Sequence, residues 1–353
     1  MTVFDEGALR AGVEWSQARQ ESRERIAREG RRFGVALGAG WAVFQTVVLL
    51  VGTGILAALG VVSVQLLFGA HGADATTVVL AALMVAPLAV LRIRSQLRGP
   101  RDLEATEYRL TRFAAANGLE YRTGELDPER SAALFSTGSS RMASDIVAGP
   151  SPRVFEAANY SFDTWVARAR MPRRTNYAAF DLRSPLPPLT LRTTSPAAAA
   201  SGWELPATQE PLPVEGEIAS HFEAFSSPAT AEPVRHLLSP EVQAALIAIA
   251  GSCDIEVVGD RIYVIARRHL PMTAPAYWER IVDLAGLVTL LEARGRGEEV
   301  GEIAEADPAR RARREALLAA PKVGRTAALG CLVPLLLGLT AAALITAITA
   351  GGW

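Results

Sequence analysis

Apolar positions cluster in this chain into three long runs, Phe33–Ala70, Thr76–Leu91 and Thr326–Ala350, each flanked on one side by arginines. A helix crosses the ~30 Å hydrocarbon core with about 20 mostly apolar residues. Thr326–Ala350 meets that length without an internal charge. Thr76–Leu91 is 16 residues long, and Ile93 with the snorkelling stems of Arg92 and Arg94 extends it. Phe33–Ala70 is 38 residues long, with Gln45 and Gln65 as its only sizeable polar side chains. Splitting it at Gly52-Thr53-Gly54 leaves no polar loop and strands backbone groups in lipid. The pattern therefore predicts one tilted helix, about 41–68, with Trp41 and Phe68 at opposite interfaces, and a second at about 76–93.

The arginines orient these helices. Arg28, Arg31 and Arg32 precede the first run, and Arg92, Arg94, Arg98 and Arg101 follow the second. Arg310, Arg311, Arg313, Arg314, Lys322 and Arg325 precede the third. The turn at His71–Ala75 and the tail after Ala350 hold no Lys or Arg. Positive residues stay inside. The prediction is a protein of the bacterial plasma membrane with a cytoplasmic amino terminus and central domain, and a carboxyl terminus outside. Residues 1–32 are too long and too acidic to read as a signal peptide.

Between helices two and three the periods shorten. Leu103–Asn117 reads as a helix closed by Asn117-Gly118, followed by a short strand at Leu119–Tyr121. Asp127-Pro128 predicts a helix start running to Phe135, and Ser136–Ser140 a loop. Strands are expected at Asp145–Ala148, Arg153–Phe162, Tyr177–Leu182, Leu189–Arg192 and Glu215–Phe225. Glu232–Ala250 reads as helix in two pieces because of Pro240. The sharpest local signal is Asp254–Arg267, where Ile255, Val257 and Val258 face Ile262, Val264 and Ile265 across Gly259-Asp260. Pro275–Arg294 is an amphipathic helix carrying Trp278, Ile281, Leu284, Leu287, Val288 and Leu291. Strands followed by helices, without βαβ alternation, give an α+β class: three transmembrane helices plus one cytosolic domain whose mainly antiparallel sheet is packed by helices. A strongly curved sheet closed by the last helix, as in pleckstrin-homology-like folds, fits that order. The expected division is 1–33 as a charged cytosolic helix, 34–94 as a membrane hairpin, and 95–300 as the cytosolic domain. A basic juxtamembrane helix at 301–325 and the third span at 326–350 follow.

Composition narrows the function. The chain has 353 residues and a formal net charge of −1, which gives no sign of nucleic-acid binding. Lys322 is the only lysine, a bias of a GC-rich genome, so arginine enrichment alone carries little. Cys253 and Cys331 fall on opposite sides of the membrane boundary and lack zinc spacing, and the four histidines are scattered. No catalytic, cofactor or metal residue is expected.

The segments Arg153-Val154-Phe155-Glu156 through Asn159-Tyr160, Leu186-Pro187-Pro188-Leu189-Thr190-Leu191, Glu215-Gly216-Glu217-Ile218 leading to Phe222, Leu238-Ser239-Pro240, and Asp254–Asp260 together resemble a group of uncharacterised bacterial membrane proteins. These come from high-GC genomes and share a cytosolic domain of unknown function. The resemblance covers roughly 105–295 and departs at Pro188 and Ile218, where a His and an aromatic are usual. It implies the fold and no activity.

Four candidate features remain. Glu217 and His221 lie four apart, which on a strand separates them by ~13 Å and on a helix would pair them. Ser139, Ser140 and Asp145 lack a nucleophile elbow. Arg168, Arg170, Arg173 and Arg174 cluster in an expected loop, and Arg310, Arg311, Arg313 and Arg314 abut the third span, so both sets are candidate contacts for anionic lipid headgroups. Gly34, Ala36, Gly38 and Gly40 form a small-residue face for helix packing. The expected function is a non-enzymatic, membrane-tethered binding or scaffolding domain, with the bilayer, anionic headgroups and a protein partner or second copy as its contacts. A membrane-bound enzyme and an accessory subunit of a membrane complex are the alternatives.

Overall fold

The structure, a computed structural model, describes residues 4–29, 102–151, 153–166, 169–194 and 203–298. The three apolar runs lie outside the described residues, as do Gly34, Ala36, Gly38 and Gly40 and the arginines at 310, 311, 313 and 314. No helix among the described residues is long and apolar enough to cross a membrane, so the predicted spans rest on sequence.

The chain begins with one helical turn, α1 (Gly7–Arg10), and a helix, α2 (Trp15–Glu29). Helix α3 follows at 102–116 and stops as its Asn-Gly signal predicts. Gly118 takes a φ of +65°, and the Leu119 amide turns back to the Ala114 carbonyl at 2.8 Å. Four strands then meander: β1 (Glu120–Leu126), β2 (Ser139–Gly149), β3 (Phe155–Val166) and β4 (Ala169–Asp181). Next come β5 (Leu189–Thr193), β6 (Glu210–Leu212), the single turn α4 (Ile218–His221) and β7 (Phe222–Ser226). Helices α5 (Ala231–Leu237) and α6 (Pro240–Ala250) are parted as Pro240 requires. The hairpin β8 (Cys253–Val258) and β9 (Arg261–Ala266) and the long helix α7 (Pro275–Gly295) end the described chain.

The β8–β9 hairpin forms where the sequence signals it. Val258 pairs with Arg261 across Gly259-Asp260, and Gly259 adopts the left-handed φ of +61° that the turn demands. It does not sit at an edge. The nine strands of the described residues form one sheet in the order β1-β2-β3-β4-β9-β8-β5-β7-β6, so the hairpin wedges between β4 and β5. Every pairing is antiparallel. The sheet is open, with β1 and β6 at its edges, and is not the closed, pleckstrin-homology-like sheet that the element order allowed.

Both faces of the sheet are covered. On one side Phe155 pairs across strands with Phe180, and Trp278 of α7 stacks at 4.4 Å on Phe113 of α3. Phe4 inserts among them, 5.6 Å from Phe113 and 5.8 Å from Trp278. On the other side a 3-10 turn, Ala133–Ser136, drops Phe135 onto Tyr160 and Tyr177, with Tyr263 beside them. This double covering is why Ile255, Val257, Ile262 and Val264 are buried together with Asp254, Glu256, Tyr263 and Ile265 of opposite parity.

Several boundaries differ from the sequence reading. Strand β2 starts at Ser139, inside the expected loop, because Ser140 and Asp145 sit at left-handed φ in two bulges that break its period of two. Strand β4 starts at Ala169, so Arg170, Arg173 and Arg174 lie on a strand and not in a loop. The helix expected after Asp127-Pro128 is absent until the 3-10 turn. Asp127 has a φ of +51°, and its amide continues the β1–β2 ladder to the Arg141 carbonyl at 2.8 Å. The strand expected at Glu215–Phe225 is α4 followed by β7.

Candidate functional site

Alternation along β8 and β5 turns Asp254, Glu256, Thr190 and Arg192 toward the face that carries Phe135 and Tyr263. That face holds buried charge beside aromatic rings. Asp254 is fully buried and accepts from the Thr193 amide at 3.1 Å and the Trp203 indole N–H at 3.0 Å. Its third partner is Arg267, 2.6 Å away, whose side chain is itself 6% exposed. Burial raises the Asp254 pKa, and Arg267 works against that rise. Arg192 lies 4.7 Å over the Trp203 ring and donates to the Trp203 carbonyl at 2.6 Å. Burial and the positive charge of Arg267 lower the Arg192 pKa, while Asp254 opposes the fall.

Glu256 is the most displaced carboxylate of this face. Burial pushes its pKa up to about 7, with Asp254 adding to the rise and the Ala133 amide and Arg192 opposing it. It lines an open cleft of about 530 Å³ with Ser136, Glu204, Gln209 and Gly259. A carboxylate near neutral pKa beside a cleft has the titration of a general base. Its geometry is that of an anchor: both oxygens accept from the Ala133 amide, at 3.1 and 3.0 Å, and the residue is 1% exposed. Among the described residues no group of three His, Cys, Asp or Glu side chains is placed to hold a metal ion.

The sequence candidates separate on inspection. Glu217 and His221 come together at 3.9 Å because α4 is helical, but Glu217 is exposed, His221 is half-buried, and among the described residues no third metal-ligating group joins them. Asp145 accepts from the Tyr121 hydroxyl at 2.9 Å and the Asn159 amide at 2.7 Å, so it braces a bulge and activates neither Ser139 nor Ser140. Arg168 lies outside the described residues. Arg170 is engaged with Asp163 and donates to the Ser140 hydroxyl at 3.0 Å.

Arg173 and Arg174 differ from Arg170. They line a cavity of about 180 Å³ together with Arg267, Trp203 and Thr175. Arg173 donates to the Thr164 hydroxyl at 3.4 Å. Burial and the charge of Arg174 lower the pKa of His269 nearby. Farther along the same hairpin, Trp165 is 68% exposed, the most exposed large apolar side chain among the described residues, and Met171 is exposed as well. Sequence reading singled out two of the three cavity arginines. Arg267 closes the hairpin signal at Asp254–Arg267 and reads there as a strand end. Its partnership with β4 follows only from the wedge topology.

No family model matches this chain, and no curated protein matches it. Among solved structures it is similar to the mycobacterial trehalose monomycolate transport factor A, TtfA, at 14% identity. That likeness covers 56% of this chain and 98% of the other, with a TM-score of 0.36, too loose to carry an argument about fold or function.

Proposed function

We propose that this chain is a multi-pass protein of the bacterial plasma membrane whose central α+β domain stays on the cytoplasmic side and acts by binding or scaffolding. One observation carries the reading. The segment before the long apolar stretch and the helix after it pack into the same body. Phe4 packs on Phe113 and Trp278, the Asp5 amide donates to Asn117 at 2.7 Å, and Arg25 donates to Thr111 at 2.8 Å. Two ends of one folded body occupy one side of a bilayer. The number of crossings between Glu29 and residue 102 is then even. Zero crossings would leave the apolar runs of residues 33–91 in water, and three would separate packed partners. Two crossings agree with the arginine flanks, and the third run then ends outside.

The binding role rests on what the domain presents: a cavity and hairpin rich in arginine, and buried carboxylates that are all committed to amides or guanidinium groups. The acceptors this suits are anionic lipid headgroups or an acidic partner.

Labelling in intact cells tests the arrangement. Single cysteines at the exposed positions Ser16 and Glu129 should react only after the membrane is opened. A reporter after Trp353 should read outside, and one at Gly202 inside. Ser16 and Glu129 labelled from opposite sides, or both labelled from outside, would overturn the proposal.

A further inference from the structure

We propose that the tip of the β3–β4 hairpin enters the headgroup region of an anionic bilayer, Trp165 and Met171 leading and Arg173 and Arg174 meeting the phosphates behind them. The hairpin outgrows the sheet. Strand β2 pairs with β3 no farther than Asp163, and β9 pairs with β4 no farther than Asn176. Past Asp163 the two strands continue as a ribbon, pairing Thr164 with Met171, Trp165 with Arg170 and Val166 with Ala169. Residues rising ~3.4 Å each carry this ribbon about 10 Å beyond Asp163. Interfacial segments sink to a similar depth, about 5–10 Å.

Both faces of the ribbon carry the same gradient. Side chains alternate along β4, so Arg173 shares the face of Met171, and Arg174 shares that of Arg170 and its cross-strand partner Trp165. On each face the apolar residue is nearer the tip and an arginine stands behind it. Trp165, Met171 and Arg174 are exposed, and Arg173 is half-buried. A protein groove takes one face of a ribbon, whereas the boundary between water and lipid surrounds both. Tryptophan favours that boundary, and arginine stems let the charge stay at its surface. Residues 160–176 hold four arginines and one acid, Asp163, which is engaged with Arg170. Among the described residues neither Arg173 nor Arg174 forms an ion pair. Basic residues so placed are drawn to an anionic leaflet.

The fold aims the ribbon accordingly. Helix α3 ends at the far end of the sheet, where the Leu119 side chain lies against Gly149, the partner of Phe155. Burial, Asp145 and Glu107 together raise the pKa of Tyr121. That earlier turn of α3 therefore lies near the Tyr121 hydroxyl, which meets Asp145 where Asp145 meets Asn159. Followed back toward the apolar runs, α3 advances from Phe155 toward Asn159, the direction in which the ribbon projects. The inference deepens the binding role proposed above and rests on its reading of the apolar runs as spans.

The test uses the purified full chain in lipid nanodiscs, with Trp165 as the probe. Discs are made of phosphatidylglycerol with phosphatidylcholine, or of phosphatidylcholine alone, and bromine on the acyl chains quenches indoles that enter the lipid. Emission of the native chain minus that of Trp165→Leu isolates this residue from the other tryptophans. Arg173→Gln/Arg174→Gln is the comparison, and an unchanged unfolding temperature verifies its fold. Quenching of Trp165 in the anionic discs, weakened at least about threefold in the double variant and in neutral discs, supports the insertion. Quenching that the double variant and the neutral discs retain in full overturns it. No quenching of Trp165 in anionic discs also overturns it and leaves the tip to a protein partner. Quenching that remains in Trp165→Leu reports Trp41 of the first apolar run, so failure of the spans shows apart from failure of the insertion. The crossing count is decided separately by the labelling of Ser16 and Glu129.

Discussion

Arg153 and Glu292, 139 residues apart in sequence, form a buried pair at 2.9 Å that ties the entrance of β3 to the last turns of α7. Neither carboxylate oxygen is left idle, because the amides of Arg183 and Ser184 donate to the other one. Arg153 also donates to the Asp181 carbonyl at 2.8 Å and to the Thr289 hydroxyl at 3.2 Å. The pair therefore fixes the β4–β5 crossing against α7. Removing one partner leaves a buried charge alone. Arg153→Met should destabilise the protein by about 3–5 kcal/mol, whereas Arg153→Met/Glu292→Leu should recover a good part of that. Denaturant titration of the purified chain reads both. Equal losses in the single and double variants would show that the pair is not the source.

The same pair predicts an acid limb. Burial alone would raise Glu292, but Arg153 and the two amides outweigh it and hold the carboxyl below its ordinary value. A depressed carboxylate adds stability above its unfolded pKa and loses it as pH falls through the lower folded one. Stability should drop below about pH 4.5, the ordinary carboxylate range, and Glu292→Gln should flatten that drop. An unchanged acid limb in the variant would count against this account.

Glu256 works in the opposite direction. Its folded pKa near 7 lies above the ordinary 4.5, so the folded state holds a proton that the unfolded chain releases. Its contribution is complete below pH 4.5 and falls away up to about pH 7. Glu256→Gln should therefore be more stable than the native chain at pH 8, by up to about 3 kcal/mol, and close to it at pH 4. Unfolding curves at the two pH values check this, and a pH-independent difference would refute it.

Trp278 is fully buried between Phe113, Phe4 and Tyr277, and its indole donates to the Met272 carbonyl at 2.7 Å. Trp278→Ala should cost about 3–5 kcal/mol. Because Phe4 shares the contact, amide exchange across residues 4–10 should quicken as well. A loss below ~1 kcal/mol, or an amino-terminal segment unaffected by the change, would contradict this packing.

Two glycines separate conformation from space. Gly259 and Gly138 both sit at left-handed φ. A Cβ on Gly259 meets nothing within 4 Å, whereas one on Gly138 would lie 2.4 Å from the Asp163 carbonyl oxygen. Gly259→Ala should cost about 1–2 kcal/mol, the left-handed penalty alone, and Gly138→Ala distinctly more. Thermal unfolding ranks them, and the reverse order would refute the account.

How far the sequence spoke depended on periodicity. The β8–β9 hairpin, α7 and the Asn117 stop were readable because each carries an uninterrupted period or a turn residue at its fixed offset. The buried side chains expected there, Ile255, Val257, Ile262, Val264, Trp278 and Leu284, are all in the core. Strand β2 was readable only from Asp145 onward, because its bulges shift the alternation twice. The outer half of β4 was not readable because Arg170, Arg173 and Arg174 leave no apolar stripe. Phe4 and Leu9 fall within the charged cytosolic helix expected over 1–33, yet both are buried, since two apolar residues in a charged stretch are too few to set a pattern. The cavity at Arg173 and Arg174 needed Arg267 and Trp203, and nothing local links those positions to β4.

The wedge of β8 and β9 also sets an order in time. The four-strand meander ends at Asp181, and its last edge, along Asn176–Asp181, is filled only by Arg261–Ala266. Strand β5 likewise waits for Ile255–Val257. As the ribosome releases the chain from its amino terminus, both halves of the sheet carry an open flank until about eighty further residues have emerged after β4. Contacts so distant in sequence close slowly. The keystone of this sheet is made near the end of the domain, so a chain cut short before Cys253 would be left with two unsatisfied edges and no means of joining them.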